Sequence, residues 1–219
     1  MTRRFTLPPC FVLALIMGCS RAEQTVPPEA SIAVEGKIAD RPPVGAALRT
    51  DLNPTVLLRT SEGMIKLRLD AVKAPLTVDN FLTQVDSGFY DKTIFHQVEA
   101  GYVILGGGFQ GDLAERKSRY SIPNEASNGL SNRRGTIAMA RPADSLESGT
   151  GQFFINVADN PDLDRRGDSP EQCGYCVFGE VVEGLDVVDR IAKVQTRDVR
   201  EFVKLPVRTV LIEGVTKIR

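Results

Sequence analysis

The stretch Thr93–Phe109, TIFHQVEAGYVILGGGF, decides how the rest of the chain is read. It holds the single histidine, His96, and three consecutive glycines, Gly106, Gly107 and Gly108. TIFHQV and GYVILG are short runs rich in β-branched and aromatic residues, which predicts two strands. On the first, Thr93, Phe95 and Gln97 share one face, and Ile94, His96 and Val98 share the other. His96 is therefore expected among apolar neighbours, satisfied by a hydrogen bond. A glycine loop that cradles phosphate needs a helix opening behind it, often at Lys-Ser or Lys-Thr. Phe109 and Gln110 follow instead, so the glycines read as a tight backbone turn.

Working outward, TVLLRT and MIKLRL are β-rich runs separated by SEG, a hairpin signal with glycine in the loop. PLTVDNFLTQVDSG changes period: Val78, Phe81, Leu82 and Val85 recur at helical spacing, and Gly88 stands where the helix should stop. Further strands are predicted at GTIAMA, QFFINVA, YCVFGEVV and VRTVLIEGVTKI. A second helix is predicted at LDVVDRIAKV, with Val187, Val188 and Ile191 on one side. Many short strands with two helices argue for a sandwich or closed barrel rather than alternating βαβ units. One domain over residues 54–219 is the economical reading.

The 219 residues carry 27 basic and 28 acidic side chains, so net charge offers no case for nucleic acid. Aromatic residues make up only 6% of the chain, which is lean for an obligate interface and predicts a monomer. Residues 1–19 read as a signal peptide: MTRR is a positive start, and CFVLALIMG is too short to span a bilayer. The segment ends in Ile16-Met17-Gly18-Cys19, which resembles a lipobox, with Cys19 as the acylated lipid anchor. Ordinary cleavage near Ala22 is the alternative, but Ser20-Arg21-Ala22 is a poor site for it. Two or more acyl chains on one residue would anchor the protein stably to a membrane. Residues 20–53 scatter proline, alanine and charge without an apolar period and read as a flexible tether.

Few side chains offer conventional catalytic chemistry. One histidine and four cysteines do not make a zinc site, so no metal is predicted. A Ser-His-Asp triad has no G-x-S-x-G context to support it. With Cys10 removed and Cys19 acylated, Cys173 and Cys176 of CGYC remain as an even pair. They read first as a local disulfide, with a reactive dithiol or two reduced thiols as alternatives. A reactive pair would want a helix N-terminus to lower a thiol pKa, and a strand follows here.

Several segments occur together in an order that resembles the cyclophilin family of peptidyl-prolyl cis–trans isomerases, particularly the bacterial periplasmic type. They are GFYDKTIFH, GGGF, NEASNGLSNRRGTIAMAR, GQFFINVADN, LDRRGD and GYCVFGEVVEGLDVVDRIAKV. The resemblance covers about residues 54–216. It implies a mainly β fold: a closed eight-stranded barrel capped by two helices, with a proline-binding groove on its outer surface. It implies proline-containing polypeptides as partners, no cofactor, and a place on the periplasmic side of a bacterial membrane.

The resemblance also distributes roles. Ala140, Gln152, Phe154 and Leu163 match the substrate groove, Tyr175 fits a bacterial variant of a histidine position, and Arg141, beside Ala140, is assigned to substrate binding with them. Tyr102 stands for phenylalanine in the proline pocket, Val103 for methionine, and Leu105 for a glutamine that orients the catalytic arginine. Glu99 and Ala100 occupy an apolar and a proline position, and Asp162 lies where an aromatic is common. The arginine itself, directly after the FH pair, is replaced by Gln97.

Rotation about an X-Pro bond needs no nucleophile. Its barrier of about 18–20 kcal/mol comes from sharing the nitrogen lone pair with the carbonyl. An apolar pocket disfavours the planar amide, and a donor aimed at the prolyl nitrogen stabilises the lone pair that twisting releases. With glutamine as that donor, weakened isomerase activity is expected. A catalytically inactive module that binds proline-containing peptides is the competing reading.

Overall fold

The computed structural model describes residues 51–118, 121–142 and 149–218. The segment expected to be a signal peptide, with Cys19, and nearly all of the expected tether lie outside the described residues. The first hairpin forms as its alternation predicts. In β1 (Thr55–Thr60) Val56, Leu58 and Thr60 turn inward, and in β2 (Gly63–Leu69) Ile65, Leu67 and Leu69 do the same. The Thr60 hydroxyl stitches the turn, donating to the Gly63 carbonyl at 2.7 Å and accepting from the Glu62 amide at 3.1 Å.

The remaining strands are β3 (Thr93–Val98), β4 (Val103–Gln110), β5 (Thr136–Met139), β6 (Phe153–Asn156), β7 (Val177–Glu183), β8 (Thr196–Val199), β9 (Phe202–Pro206) and β10 (Val210–Ile218). Eight of them close a barrel in the order β1-β10-β3-β4-β6-β5-β7-β2, with every neighbour antiparallel. Closure removes sheet edges, and inward side chains fill the interior. Helices α1 (Pro75–Asp86) and α2 (Leu185–Ile191) bury the faces expected of them: Val78, Phe81, Leu82 and Val85 on α1, and Val187, Val188 and Ile191 on α2. Both faces join the barrel's central core. There Phe81 meets Tyr90, Phe153 and Phe178 at centroid separations of 5.1, 5.9 and 5.2 Å. These are tilted or edge-on contacts that suit aromatic quadrupoles.

The mainly β, closed eight-stranded architecture with two helices is the one expected. Two local expectations are corrected. The glycine triplet is not a turn but lies inside β4. The β3–β4 pairing shifts register there, and Gly107 has φ of +85°, a conformation that L side chains rarely adopt. A Cβ at Gly107 would sit 3.0 Å from Tyr90 and 3.1 Å from Phe153. The same irregularity breaks the alternation of β3. Ile94 and His96 share the outer face, but Val98 joins Phe95 in the central core, because a bulge adds a residue and reverses the facing.

The short sheet β8-β9 had no sequence forecast. It covers the outer face of β3 and β4, where Phe202 and Leu205 bury Ile94. Phe109 stands edge-on to Phe202 at 4.9 Å.

Candidate active site

Five strands present one residue each to a continuous row on the barrel's outer wall. Gln97 on β3 pairs with Leu105 on β4, Leu105 with Phe154 on β6, Phe154 with Ala138 on β5, and Ala138 with Val177 on β7. Their chain neighbours Val98, Ile104, Phe153, Ile155, Ile137 and Phe178 point into the central core. The two-residue period of a strand therefore separates groove from core.

Around this row an apolar cluster forms. Val103, Ala138, Phe154 and Val177 are its buried floor, and Tyr102, Leu105, Leu130, Ala140, Leu163 and Tyr175 pack on it partly exposed. Tyr102, Val103, Leu105, Ala140, Phe154, Leu163 and Tyr175, scattered over 74 positions of sequence, are thus brought together. Ala138, Val177 and Leu130 were missed. Ala138 and Val177 stand two residues from Ala140 and Tyr175, so the strand period itself carried the signal for them.

The groove's wall is a single 3-10 turn, Pro161–Leu163, held by buried amides. Asn160 donates to the Tyr102 carbonyl at 2.9 Å and to Asn156 Oδ1 at 2.8 Å. Asn156 in turn donates to Asn132 Oδ1 at 3.2 Å and to Thr136 Oγ1 at 2.9 Å. The Asn132 side chain and backbone amide reach Asp164 Oδ1 at 2.9 and 2.6 Å. All three asparagines are buried, and a satisfied buried network of this kind fixes one arrangement of the segments it joins. Sequence reasoning did not single them out, although NVADN sits inside a motif used for the resemblance.

On the far side, Tyr175 stands edge-on to Phe154 at 5.6 Å, and its amide donates to the Leu163 carbonyl at 3.0 Å. Arg141 is half-buried beneath this loop. Its guanidinium donates to the carbonyls of Gly174, Pro142 and Pro170 at 3.2, 2.8 and 2.9 Å, and lies 4.9 Å over the Tyr175 ring. Arg141 therefore holds the Tyr175 loop in place. Gln152 is half-buried; its carbonyl accepts the Ala140 amide at 3.0 Å, and its side chain crosses the spot a Cβ on Gly108 would need.

Gln97 is half-buried at the end of the row, and its amide is bonded to none of the described side chains. Tyr102 donates its hydroxyl to Asp162 Oδ2 at 2.7 Å, and burial together with that carboxylate holds the phenol above its usual range. His96 is buried edge-on to Phe109 at 4.7 Å. Its Nδ1 has no hydrogen-bond partner among the described residues, contrary to expectation, and burial lowers its pKa to about 4 against a smaller opposing effect of the Ile94 backbone.

The cysteines also depart from the leading expectation: both are free thiols, not a disulfide. Cys173 faces the Pro170 carbonyl at 3.3 Å and Asn124 at 3.4 Å. Cys176 turns to Thr77 at 3.5 Å and Asn128 at 3.7 Å, in the central core. Burial pushes the Cys176 thiol up to about 12, opposite to what an attacking thiolate needs. Among the described residues, no group of three or more His, Cys, Asp or Glu is placed to hold a metal ion.

An antiparallel barrel with an apolar groove on its outer wall defines the class of protein. The profile of the family described as cyclophilin type peptidyl-prolyl cis-trans isomerase/CLD matches residues 55–217. Peptidyl-prolyl cis-trans isomerase A of Dickeya dadantii is 47% identical over 164 residues, covering 75% of this chain and 84% of the relative. Peptidyl-prolyl cis-trans isomerase B of Escherichia coli is 47% identical, covering 74% and 98%. Peptidyl-prolyl cis-trans isomerase cyp18 of Streptomyces antibioticus is 50% identical, covering 73% and 96%. Among solved structures, a Cryptosporidium parvum cyclophilin type isomerase determined in the presence of the dipeptide Ala-Pro shares the fold with a TM-score of 0.65. It is 24% identical, and the match covers 75% of this chain and 99% of that one. The chain belongs to the cyclophilin family and is a peptidyl-prolyl cis-trans isomerase.

Proposed function

We propose that this isomerase assists the folding of exported proteins from a tethered position on the periplasmic side of a bacterial membrane, turning over more slowly than relatives with arginine at its Gln97 position. The observation that carries this reading is the groove itself: an apolar surface ending in Gln97, the one polar donor on the row of cross-strand partners. The pocket takes the proline ring and strips water from the amide, which favours the twisted, less polar form. Gln97 donates to the prolyl nitrogen as its lone pair localises, and a neutral donor does so less strongly than a charged one. The positive start, the short apolar run and Ile16–Cys19 support export and acylation, and the proline-rich stretch that follows supports a monomeric head on a tether.

Exchange spectroscopy on a short Ala-X-Pro peptide tests the chemistry, because uncatalysed isomerisation takes tens to hundreds of seconds. Faster exchange, abolished when Phe154 is truncated, is the expected result. Peptide binding without faster exchange would leave a binding module in place of a catalyst. Labelled palmitate incorporated by the whole chain but not by Cys19→Ala tests the anchor.

A further inference from the structure

Resting on the groove being the peptide site, we propose that Asp162, held by Tyr102, makes this isomerase select substrates with a cationic side chain next to the proline.

Asp162 is exposed on the 3-10 turn, immediately before Leu163 of the groove. The 2.7 Å hydrogen bond from the Tyr102 hydroxyl holds Oδ2 beside a ring that packs on the groove's apolar floor. A carboxylate accepts more than one hydrogen bond, so this contact orients the group without exhausting it. No cation among the described residues pairs with Asp162.

The contacts seen for nearby described arginines go to other groups. Gln97, in the row beside the pocket, is neutral. Arg141 is engaged elsewhere, over the Tyr175 ring and on the carbonyls of Gly174, Pro142 and Pro170. Arg165 pairs with Asp168, and Arg134 with Asp189 at 2.8 Å. Glu99 adds a second carboxylate near Tyr102, although it also lines a small cavity that it shares with Lys204. Asp162 and Glu99 thus set two carboxylates about Tyr102, and a lysine or arginine beside a bound proline meets a positioned, unpaired acceptor in Asp162. An exposed ion pair contributes modestly, so the expected preference is roughly 3- to 5-fold.

The test measures dissociation constants of three peptides that differ only in the residues flanking proline: lysine, its neutral isostere norleucine, and glutamate. The expected order is lysine tightest and glutamate weakest, with the lysine-to-norleucine ratio shrinking in 0.5 M salt. In Asp162→Asn that ratio should fall to about one, and in Tyr102→Phe it should fall partway, because the carboxylate remains but is no longer held. Each ratio is taken within one variant, so a change in overall affinity does not disturb it. Equal binding of all three peptides to the wild type, or a ratio that survives Asp162→Asn, overturns the selectivity while leaving the groove as the peptide site. Failure of every peptide to bind overturns both.

Discussion

In the proposed mechanism Gln97 is a neutral donor to the prolyl nitrogen in place of a charged one, and the consequence is a matter of magnitude. A hydrogen bond from a charged donor contributes about 1.5–3 kcal/mol and a neutral one nearer 1 kcal/mol. Losing about 1–2 kcal/mol of transition-state preference corresponds to roughly 5- to 30-fold in rate. Gln97→Arg should therefore raise kcat/KM by about that factor in a prolyl-peptide assay. Leu105 is its cross-strand partner and cannot orient a guanidinium, so Gln97→Arg with Leu105→Gln should exceed the single variant. No gain from either would show that Gln97 does not face the reacting nitrogen. His96, one residue earlier, has a structural effect of opposite character. Burial holds its pKa at about 4, below its ordinary 6.5, so the fold favours the neutral ring. Stability is then full above about pH 6.5 and falls as pH drops from there towards 4, while the unfolded chain takes up a proton that the folded one refuses. Between pH 8 and pH 5 this amounts to about 2 kcal/mol. Urea titrations should show that loss in the wild type and a much flatter profile in His96→Phe. The burial of His96 was legible from its apolar neighbours; its unpartnered Nδ1 was not, because it depends on tertiary neighbours such as Phe109, thirteen residues on.

Helix α1 shows where local pattern stops being informative. Its buried face follows from the spacing of Val78, Phe81, Leu82 and Val85, yet its N-cap residue, Ala74, supplies no side-chain hydrogen bond. The cap comes from Glu125, whose carboxylate accepts the amides of Leu76 and Thr77 at 3.1 and 2.8 Å and the Thr77 hydroxyl at 2.7 Å. Free N–H groups at a helix start need such partners, and a negative charge there also complements the helix dipole. Glu125→Ala should destabilise the protein by about 2–3 kcal/mol in denaturant unfolding, with Glu125→Gln nearer 1 kcal/mol. The β3 expectation failed for a related reason. Alternation assigns faces only while the register is unbroken, and Gly107 bends β4 so that the extra residues break it.

At the scale of the molecule, the barrel is closed by its last strand. β10 pairs with β1 on one side and β3 on the other, and it buries Val210, Ile212 and Val215 in the core. Truncation after Thr209 exposes two strand edges at once and should abolish cooperative thermal unfolding and promote aggregation, monitored by circular dichroism and light scattering. The same closure assembles the groove. Alternating apolar residues, helical spacing and the ordered family motifs were enough to determine the eight barrel strands, both helices, the family and most of the groove's side chains, because each of those signals is carried by near neighbours in the chain. The separation of Cys173 from Cys176, the asparagine network behind Leu163, the distant cap on α1 and the clasp of Tyr102 on Asp162 were decided by tertiary structure. These are pairings of one side chain with another partner or environment, and only a closed barrel sets the distances between residues tens of positions apart.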